Sequence, residues 1–167
     1  MDDDDWPMAD PQIRKDYEAE LGRFLLAHNE VDYRLTQVIR QCVTHLGGNS
    51  ALIGRLQAGS FDNRLTIFEL LQSFRHELRD LDVNHLRKLN ADRNKLAHGH
   101  MDQNPFDGSY EILDRQKFQR RMAFPIDAIV TGRETLERIA DNLNLMECRY
   151  EFDDLEIEDA DPPATRN

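Results

Sequence analysis

The strongest constraint on the fold is a helical repeat of apolar residues near the start of the chain. From Pro11 to about Leu46, apolar side chains recur every three or four residues for about ten turns. Such a helix has one apolar stripe that must be buried against other elements. Because the Gly47-Gly48 pair then ends the pattern, it predicts one long amphipathic helix. The stripe consists of Ile13, Tyr17, Leu21, Phe24, Leu25, Val31, Leu35, Val38, Ile39, Cys42 and Leu46.

Three further helices of similar character are expected after a short helical turn around Ser50–Gln57. The first follows Ser60, a residue type favoured at N-caps. The second follows Asp82 and closes at Gly99, and the last opens at Pro125, since proline is favoured in the first turn. Their apolar residues are Phe61, Leu65, Phe68, Leu71, Phe74 and Leu78; Leu86, Leu89, Leu96 and Ala97; and Ile126, Ile129, Val130, Leu136, Ile139, Leu143 and Met146.

The segment Met101–Arg115 has a different character from the helices around it. It places the turn residues Asn104-Pro105-Phe106-Asp107-Gly108 between two short runs that could pair, which predicts a loop or a small hairpin. The chain as a whole is therefore expected to be an all-α bundle of about four long helices.

Acidic residues are concentrated at the two ends of the chain. The formal net charge is −11. Residues 1–10 contain five acids and no bases, and residues 147–167 contain eight acids and two bases, so the remaining 11–146 has 19 of each. We expect one domain over 11–146 between an acidic N-terminal tail and a C-terminal tail that is largely disordered. The tails either serve solubility or act as a polyanion mimic over a nucleic-acid site.

The expected location is the cytoplasm, without a membrane anchor. Cys42 and Cys148 lie far apart without metal-ligand spacing, which is typical of free thiols in a reducing compartment. No apolar run approaches the roughly 20 residues that span a bilayer. The sequence after Met1 also lacks the basic and then apolar layout of a signal peptide.

The chemically most suggestive stretch is Ala91–His100, at the end of the predicted third helix. Arg93 carries a permanent charge suited to phosphate oxygens, His98 can move a proton near neutral pH, and Asn94 can orient either by a hydrogen bond. These three residues, here called the Arg-Asn-His motif, suit metal-free RNA cleavage, so no cofactor or metal is expected. The structural alternative is a solvated helix end at which His98 and Gly99 form a polar cap.

The spacing of the motif raises a geometric difficulty. On a regular helix Asn94 and His98 share a face, whereas Arg93 and His98 diverge by about 140°. Two arrangements would bring Arg93 and His98 together. Either the last helical turn unwinds before Gly99, or Arg93 of one copy meets His98 of another in a two-fold dimer.

The pattern Arg93-Asn94-x-x-Ala97-His98-Gly99, preceded by Leu86 and Leu89 in a helical frame, resembles the HEPN superfamily over roughly residues 11–146. The resemblance implies a helical fold that dimerises along the motif helices and forms one composite cleft. It further implies a metal-independent endoribonuclease of a toxin, phage-defence or RNA-processing system, with RNA as substrate and an antitoxin protein as a partner of toxins. Arg93 and His98 carry over as catalytic and Asn94 as supporting.

The chain departs from some members of the superfamily. Toxins paired with a nucleotidyltransferase antitoxin often have a tyrosine two residues after the histidine, where this chain has His100. Other members bind or scaffold without cleaving. The alternative function is therefore a non-catalytic helical module in which the Arg-Asn-His motif organises a dimer or holds a ligand. A third reading makes the motif only a helix terminus in a subunit of a larger assembly.

Two other groups of polar residues have both a functional and a structural interpretation. A local basic cluster follows the expected hairpin and, if folded near His98, would bind RNA phosphates; otherwise it is a solvated connection. The first helix carries three further polar residues, one of which would orient Arg93 or His98 in the functional interpretation. In the structural interpretation, the three residues are a core histidine and two solvated acids. The cluster is Arg115, Lys117, Arg120 and Arg121, and the polar residues are His28, Glu30 and Asp32.

Overall fold

A helix of 35 residues, α1 (Pro11–His45), opens the described part of the chain, as the apolar repeat predicts. The computed structural model describes residues 8–113 and 121–158. Asp10 caps α1 by accepting a hydrogen bond from the backbone N–H of Gln12 at 2.8 Å, and Pro11 occupies the first helical position. At the other end, Gly47 adopts φ +81°, and the N–H of Gly48 bonds to the Val43 carbonyl at 2.8 Å. This is the Schellman arrangement that glycine favours.

Two short helices follow, and both begin where the sequence pattern indicates. The first, α2 (Ser50–Gln57), has the predicted bounds and is capped by Asn49. The next, α3 (Phe61–Gln72), begins at the predicted cap, where the Ser60 hydroxyl accepts from the Asn63 N–H at 3.3 Å. It ends sooner than expected, however, and a 3₁₀ turn at His76–Leu78 replaces its last turns. The expectation that Phe74 is buried was therefore wrong.

The motif helix α4 (Val83–His98) leads directly into a small antiparallel sheet. Its strands are β1 (His100–Gln103), β2 (Tyr110–Leu113) and β3 (Arg121–Ala123), in that order across the sheet. The predicted hairpin is thus confirmed as β1 and β2. The third strand was not expected, because three residues are too few for an alternating pattern to be recognised.

The last helix, α5 (Ile126–Glu158), starts directly after Pro125 and is longer than its apolar pattern indicated. It continues into the acidic stretch that was expected to be disordered. Extending an existing helix needs no new nucleus, and glutamate and leucine are good helix formers, so the helix continues into this stretch. The remainder of the expected C-terminal tail and the first seven residues lie outside the described residues.

The chain is mostly helical, and its contacts define two compact units. The first unit is Met1–Glu30 with Asn84–Arg138, and the second unit is Val31–Val83 with Ile139–Asn167. The long helices α1 and α5 each contribute a segment to both units. In the part of the chain described here, no helix has both the length and the apolar character to cross a bilayer.

Each unit buries its own set of large apolar side chains. In the first unit, the stacked rings of Tyr17 and Tyr110, with centroids 3.8 Å apart, attach the sheet to α1. The Tyr17 hydroxyl also donates a hydrogen bond to the Phe124 carbonyl at 3.0 Å. Representative buried residues are Phe24, Leu86, Leu89, Ile112, Ile129 and Leu136 in the first unit, and Leu35, Ile39, Leu65, Phe68, Leu78 and Leu143 in the second unit.

Candidate functional site

The helix that carries the Arg-Asn-His motif is regular to its end. α4 is α-helical through His98, and the N–H of Gly99 still bonds to the Lys95 carbonyl at 2.7 Å. The unwound last turn, one of the two arrangements left open by the sequence, is therefore not found. Because the helix is intact, Arg93 and His98 of one chain remain separated by about 140° around its axis.

Gly99 is the residue that allows the sheet to begin so close to the motif. A Cβ atom at this position would overlap the Lys95 carbonyl oxygen and the side chain of Ile112, which lies on β2. Only glycine permits both the last helical hydrogen bond and this approach of the second strand. The junction consequently places His98 and His100 on either side of a fixed turn between helix and sheet.

The face of α4 changes from buried to exposed along the helix. Leu86, Leu89 and Leu96 are buried as predicted. Arg93, on the same side of the helix, is only partly buried. Ala97 was expected to be buried but is exposed, because the core does not cover this side of the last turn. On a helical projection the order is Arg93, Ala97, Asn94 and His98, so the motif residues border one open face. We call these four residues the open face of α4.

Arg93 lies at the boundary between the core and the open face. Its Nη1 donates a hydrogen bond to Oδ1 of Asn94 at 3.1 Å, so the two side chains are in contact. Its Nε is buried and has no hydrogen-bond partner within the described residues. An unsatisfied buried donor is costly, and on a guanidinium it is best satisfied by an anion.

His98 is the most accessible member of the motif. Its ring is exposed, and no hydrogen bond joins it to residues 8–113 or 122–150. Both ring nitrogens can thus meet a ligand, as a group that moves protons requires. Its neighbour Lys95 is held by Asp92, with 2.8 Å between Nζ and Oδ1, and this pairing reduces the charge available beside His98.

The predicted basic cluster falls mainly outside the described residues. Arg115, Lys117 and Arg120 lie in the undescribed segment, and Arg121 is the first residue of β3. Leu113 pairs with His100 on one side and with Arg121 on the other. The chain therefore leaves β2 and enters β3 at the end of the sheet that adjoins the motif.

The three polar residues of α1 do not join the open face in the manner first considered. Asp32 forms a bidentate pair with Arg64 of α3, with both nitrogen–oxygen distances at 2.8 Å. It thus serves the packing of α3 on α1 in the second unit. His28 is buried, as expected for a core histidine, and Glu30 is exposed.

Sequence reasoning missed two properties of this site. The first is the exposure of Ala97, which its position between Arg93 and His98 on a helical projection could have indicated. The second is the unsatisfied Nε of Arg93, for which the sequence contains no signal. Comparisons of the chain with protein-family models, curated proteins and solved structures found no match, so the functional argument depends on the residues of α4 themselves.

Proposed function

We propose that the chain is a dimeric, metal-independent endoribonuclease of the HEPN type, with Arg93 and His98 as catalytic residues and Asn94 as a positioning residue. One observation carries the proposal. A single helix end presents an exposed imidazole and a guanidinium that retains a buried, unsatisfied N–H donor. A phosphodiester supplies an anion that the outer N–H groups of this guanidinium can bind, and an RNA strand supplies the proton that the imidazole can move.

The proposed reaction is an internal transfer at phosphorus. The 2′-oxygen of one ribose forms a bond to the adjacent phosphorus while the bond from phosphorus to the 5′-oxygen breaks. His98 accepts the 2′-hydroxyl proton, and a proton is returned to the departing 5′-oxygen. The products are a 2′,3′-cyclic phosphate and a 5′-hydroxyl. Arg93 stabilises the negative charge that develops on the phosphoryl oxygens.

The proposed site needs a second copy of the chain. Since α4 is regular, the backbone positions of Arg93 and His98 diverge by about 140° in one copy, which supports a site completed by a second copy. A two-fold partner that packs against the open face would bring its own His98 towards Arg93. The small, exposed side chain of Ala97 favours such packing because it lets a second helix approach closely.

The proposed RNA contacts extend from the open face to the basic cluster. In the sequence, these four residues follow β2, whose last residue, Leu113, pairs with His100; they are Arg115, Lys117, Arg120 and Arg121. Phosphate contacts of this kind fix the position of a strand without reading its sequence. The basic cluster would also supply a local positive charge within residues 11–146, a segment whose net charge is zero.

The test is cleavage of single-stranded RNA in the presence of EDTA. Wild-type protein should yield cyclic phosphate ends, and a substrate with 2′-deoxyribose at the cut position should stay intact. Arg93→Ala and His98→Ala should lower the rate by 100-fold or more, a typical loss on removal of an acid–base or charge-stabilising group. His85→Ala, which removes an exposed histidine from the first turns of α4, is the control. Full activity in both motif variants would overturn the proposal.

A toxin role makes a separate prediction in cells. Expression of the wild-type chain should arrest growth, whereas His98→Ala expressed at the same level should not. A neighbouring gene for a small antitoxin protein would be expected to relieve the arrest. Growth arrest by both proteins would remove the toxin role, whatever the outcome of the cleavage assay.

A further inference from the structure

The second unit contains an open pocket of about 440 Å³ that the proposed nuclease does not use. It lies between the turn after α3 and the face of α5 that carries Arg149 and Tyr150. Pockets that bind small molecules typically measure about 300–1,000 Å³. Its size is therefore suited to one nucleotide or a ligand of similar dimensions.

A network centred on Glu77 fixes one side of the pocket. Glu77 Oε1 accepts hydrogen bonds from Arg75 Nε at 2.6 Å and from the Tyr150 hydroxyl at 3.1 Å. The guanidinium carbon of Arg75 also lies 5.4 Å from the centre of the Tyr150 ring, which is a cation–π distance. Tyr150 is itself buried. Arg75 thus neutralises the Glu77 carboxylate within an ordered framework.

Phe74 provides an aromatic wall to the same pocket. The side chain is 70% exposed, the same fraction as the most exposed large apolar residues of the described chain. Because α3 ends at Gln72 and the Phe74 N–H turns back to the Leu71 carbonyl at 3.0 Å, the ring leaves the buried side of the helix. A single exposed apolar residue needs no special explanation, but this ring borders a cationic pocket.

Arg149 provides the charge. It is exposed, and it forms no hydrogen bond or ion pair with the residues whose side chains are described. His76 approaches Glu77 with 3.2 Å between Nδ1 and Oε2 and adds charge only when it is protonated. Since Arg75 matches Glu77, Arg149 gives the residues that line the pocket one net positive charge.

We propose that this pocket binds a nucleotide, with the base stacked on Phe74 and the phosphate bound by Arg149. Aromatic rings beside arginines are the usual means by which proteins hold unpaired bases and their phosphates. An apolar helix would use the ring but bury Arg149 without a partner, which is unfavourable. The inference is independent of the proposed function, because Phe74 and Arg149 belong to the second unit and the Arg-Asn-His motif to the first.

The test measures binding of a fluorescent 2′-O-methyl RNA of about eight nucleotides by anisotropy, a length within the usual site sizes of single-strand binders. This probe has no free 2′-hydroxyl, so binding is measured whether or not the protein cleaves RNA. Phe74→Ala should weaken binding about fivefold or more, and Phe74→Trp should retain it. Leu70→Ala removes a similarly exposed apolar side chain from α3 and should bind as the wild type does.

The charge is tested by the salt dependence of the same binding. Arg149→Gln should lower the slope of log Kd against log salt concentration by roughly 0.7, the value for one phosphate contact to a single strand. Arg40→Gln, at an exposed position of α1 in the second unit, removes the same charge and should leave the slope unchanged. An apolar protein interface would not produce this difference.

Several outcomes would overturn the inference. They are absence of probe binding by wild-type protein at low salt, unchanged binding in Phe74→Ala and Arg149→Gln, and displacement of the probe by inorganic phosphate as effectively as by AMP. Altered self-association with unchanged probe affinity would overturn it in favour of a protein interface. Displacement by AMP alone would support a site for free nucleotides, whereas a probe that AMP does not displace would support a site for a strand.

Discussion

At the scale of single residues, Gly99 determines how closely the sheet approaches the end of the motif helix. The last hydrogen bond of α4 ends at its N–H, and Ile112 of β2 packs where a side chain would lie. Any larger residue must displace the backbone of α4 or the second strand. His98 immediately precedes this glycine. The proposed catalytic geometry therefore depends on the close packing of Ile112 against Gly99, a residue that has no side chain.

Gly99→Ala should destabilise the protein by about 2 kcal/mol, since the added methyl group overlaps backbone atoms that cannot simply rotate away. Gly22→Ala is the control. Gly22 lies within α1 and has open space around its Cα, so alanine there should stabilise by about 0.5–1 kcal/mol through its helix propensity. Denaturant unfolding measures both changes. Equal effects of the two substitutions would contradict the packing described at Gly99.

Tyr17 should make stability depend on pH in the alkaline range. Burial is the main cause that raises the pKa of Tyr17 to about 12, from an ordinary value near 10. The unfolded chain therefore loses this proton more readily than the folded one. The contribution of the buried, neutral Tyr17 phenol to the free energy of unfolding is fully present below pH 10. It is lost as the pH rises towards about 12.

The matched variant for this effect is Tyr17→Phe. It should lose about 1 kcal/mol at neutral pH, with the hydrogen bond to the Phe124 carbonyl, and its stability should fall less steeply than that of the wild type above pH 10. Other tyrosines with raised pKa values, such as Tyr150, titrate in both proteins and cancel in the difference. Parallel stability curves for the two proteins would mean that the Tyr17 phenol is not protected by burial.

At the scale of secondary-structure elements, a part-buried ion pair links α3 to α1. The Arg64 side chain, only 12% exposed, binds Asp32 in bidentate fashion and donates to the Gly59 carbonyl at 2.7 Å. Asp32→Ala should cost about 2 kcal/mol or more, because it leaves a largely buried cation without its carboxylate. Glu18→Ala, on the same helix, removes the partner of Arg14 in a pair with side chains 57% and 67% exposed, and should cost less than about 0.5 kcal/mol. Similar unfolding free energies for the two variants would contradict this assignment.

The elements that sequence reasoning recovers are those whose apolar periodicity extends over several turns. α1 and α2 have the expected bounds, and the cap at Ser60 is where its hydroxyl indicates. Termini are recovered less well, since the pattern does not show where packing stops. Phe74 fits the period of α3 yet lies beyond its end, and β3 is too short to have a period.

The candidate site was likewise recovered in part. Residue types and spacing indicate that Arg93, Asn94 and His98 belong to the end of a helix, and the contact between Arg93 and Asn94 follows from their chemistry. Whether that helix unwinds cannot be read from spacing, because Gly99 is compatible with either outcome until Ile112 is seen to pack beside it. Tertiary contacts of this kind depend on residues distant in the chain.

At the scale of the whole molecule, the regular geometry of α4 favours the proposal that the site is shared between two copies. The backbone positions of Arg93 and His98 are about 140° apart on the helix and face different directions, which favours contacts from two chains to one phosphate. If Arg93 of each copy acts with His98 of the other, a two-fold dimer contains two such pairs. This arrangement makes a prediction that a site within one chain does not.

Mixed dimers of Arg93→Ala and His98→Ala subunits should regain activity that neither variant has alone. One of the two pairs then combines both substituted residues and is inactive, while the other combines both native residues, so about half of the wild-type rate per dimer is expected. Two different affinity tags isolate the mixed dimer, and RNA cleavage in EDTA measures its rate. The control combines Arg93→Ala with a subunit that carries both substitutions and should stay inactive, because it contains no native Arg93. An inactive mixed dimer, when each subunit is folded and the dimer is intact, would contradict a site shared across the two-fold axis, since each chain would then need its own arginine and histidine together.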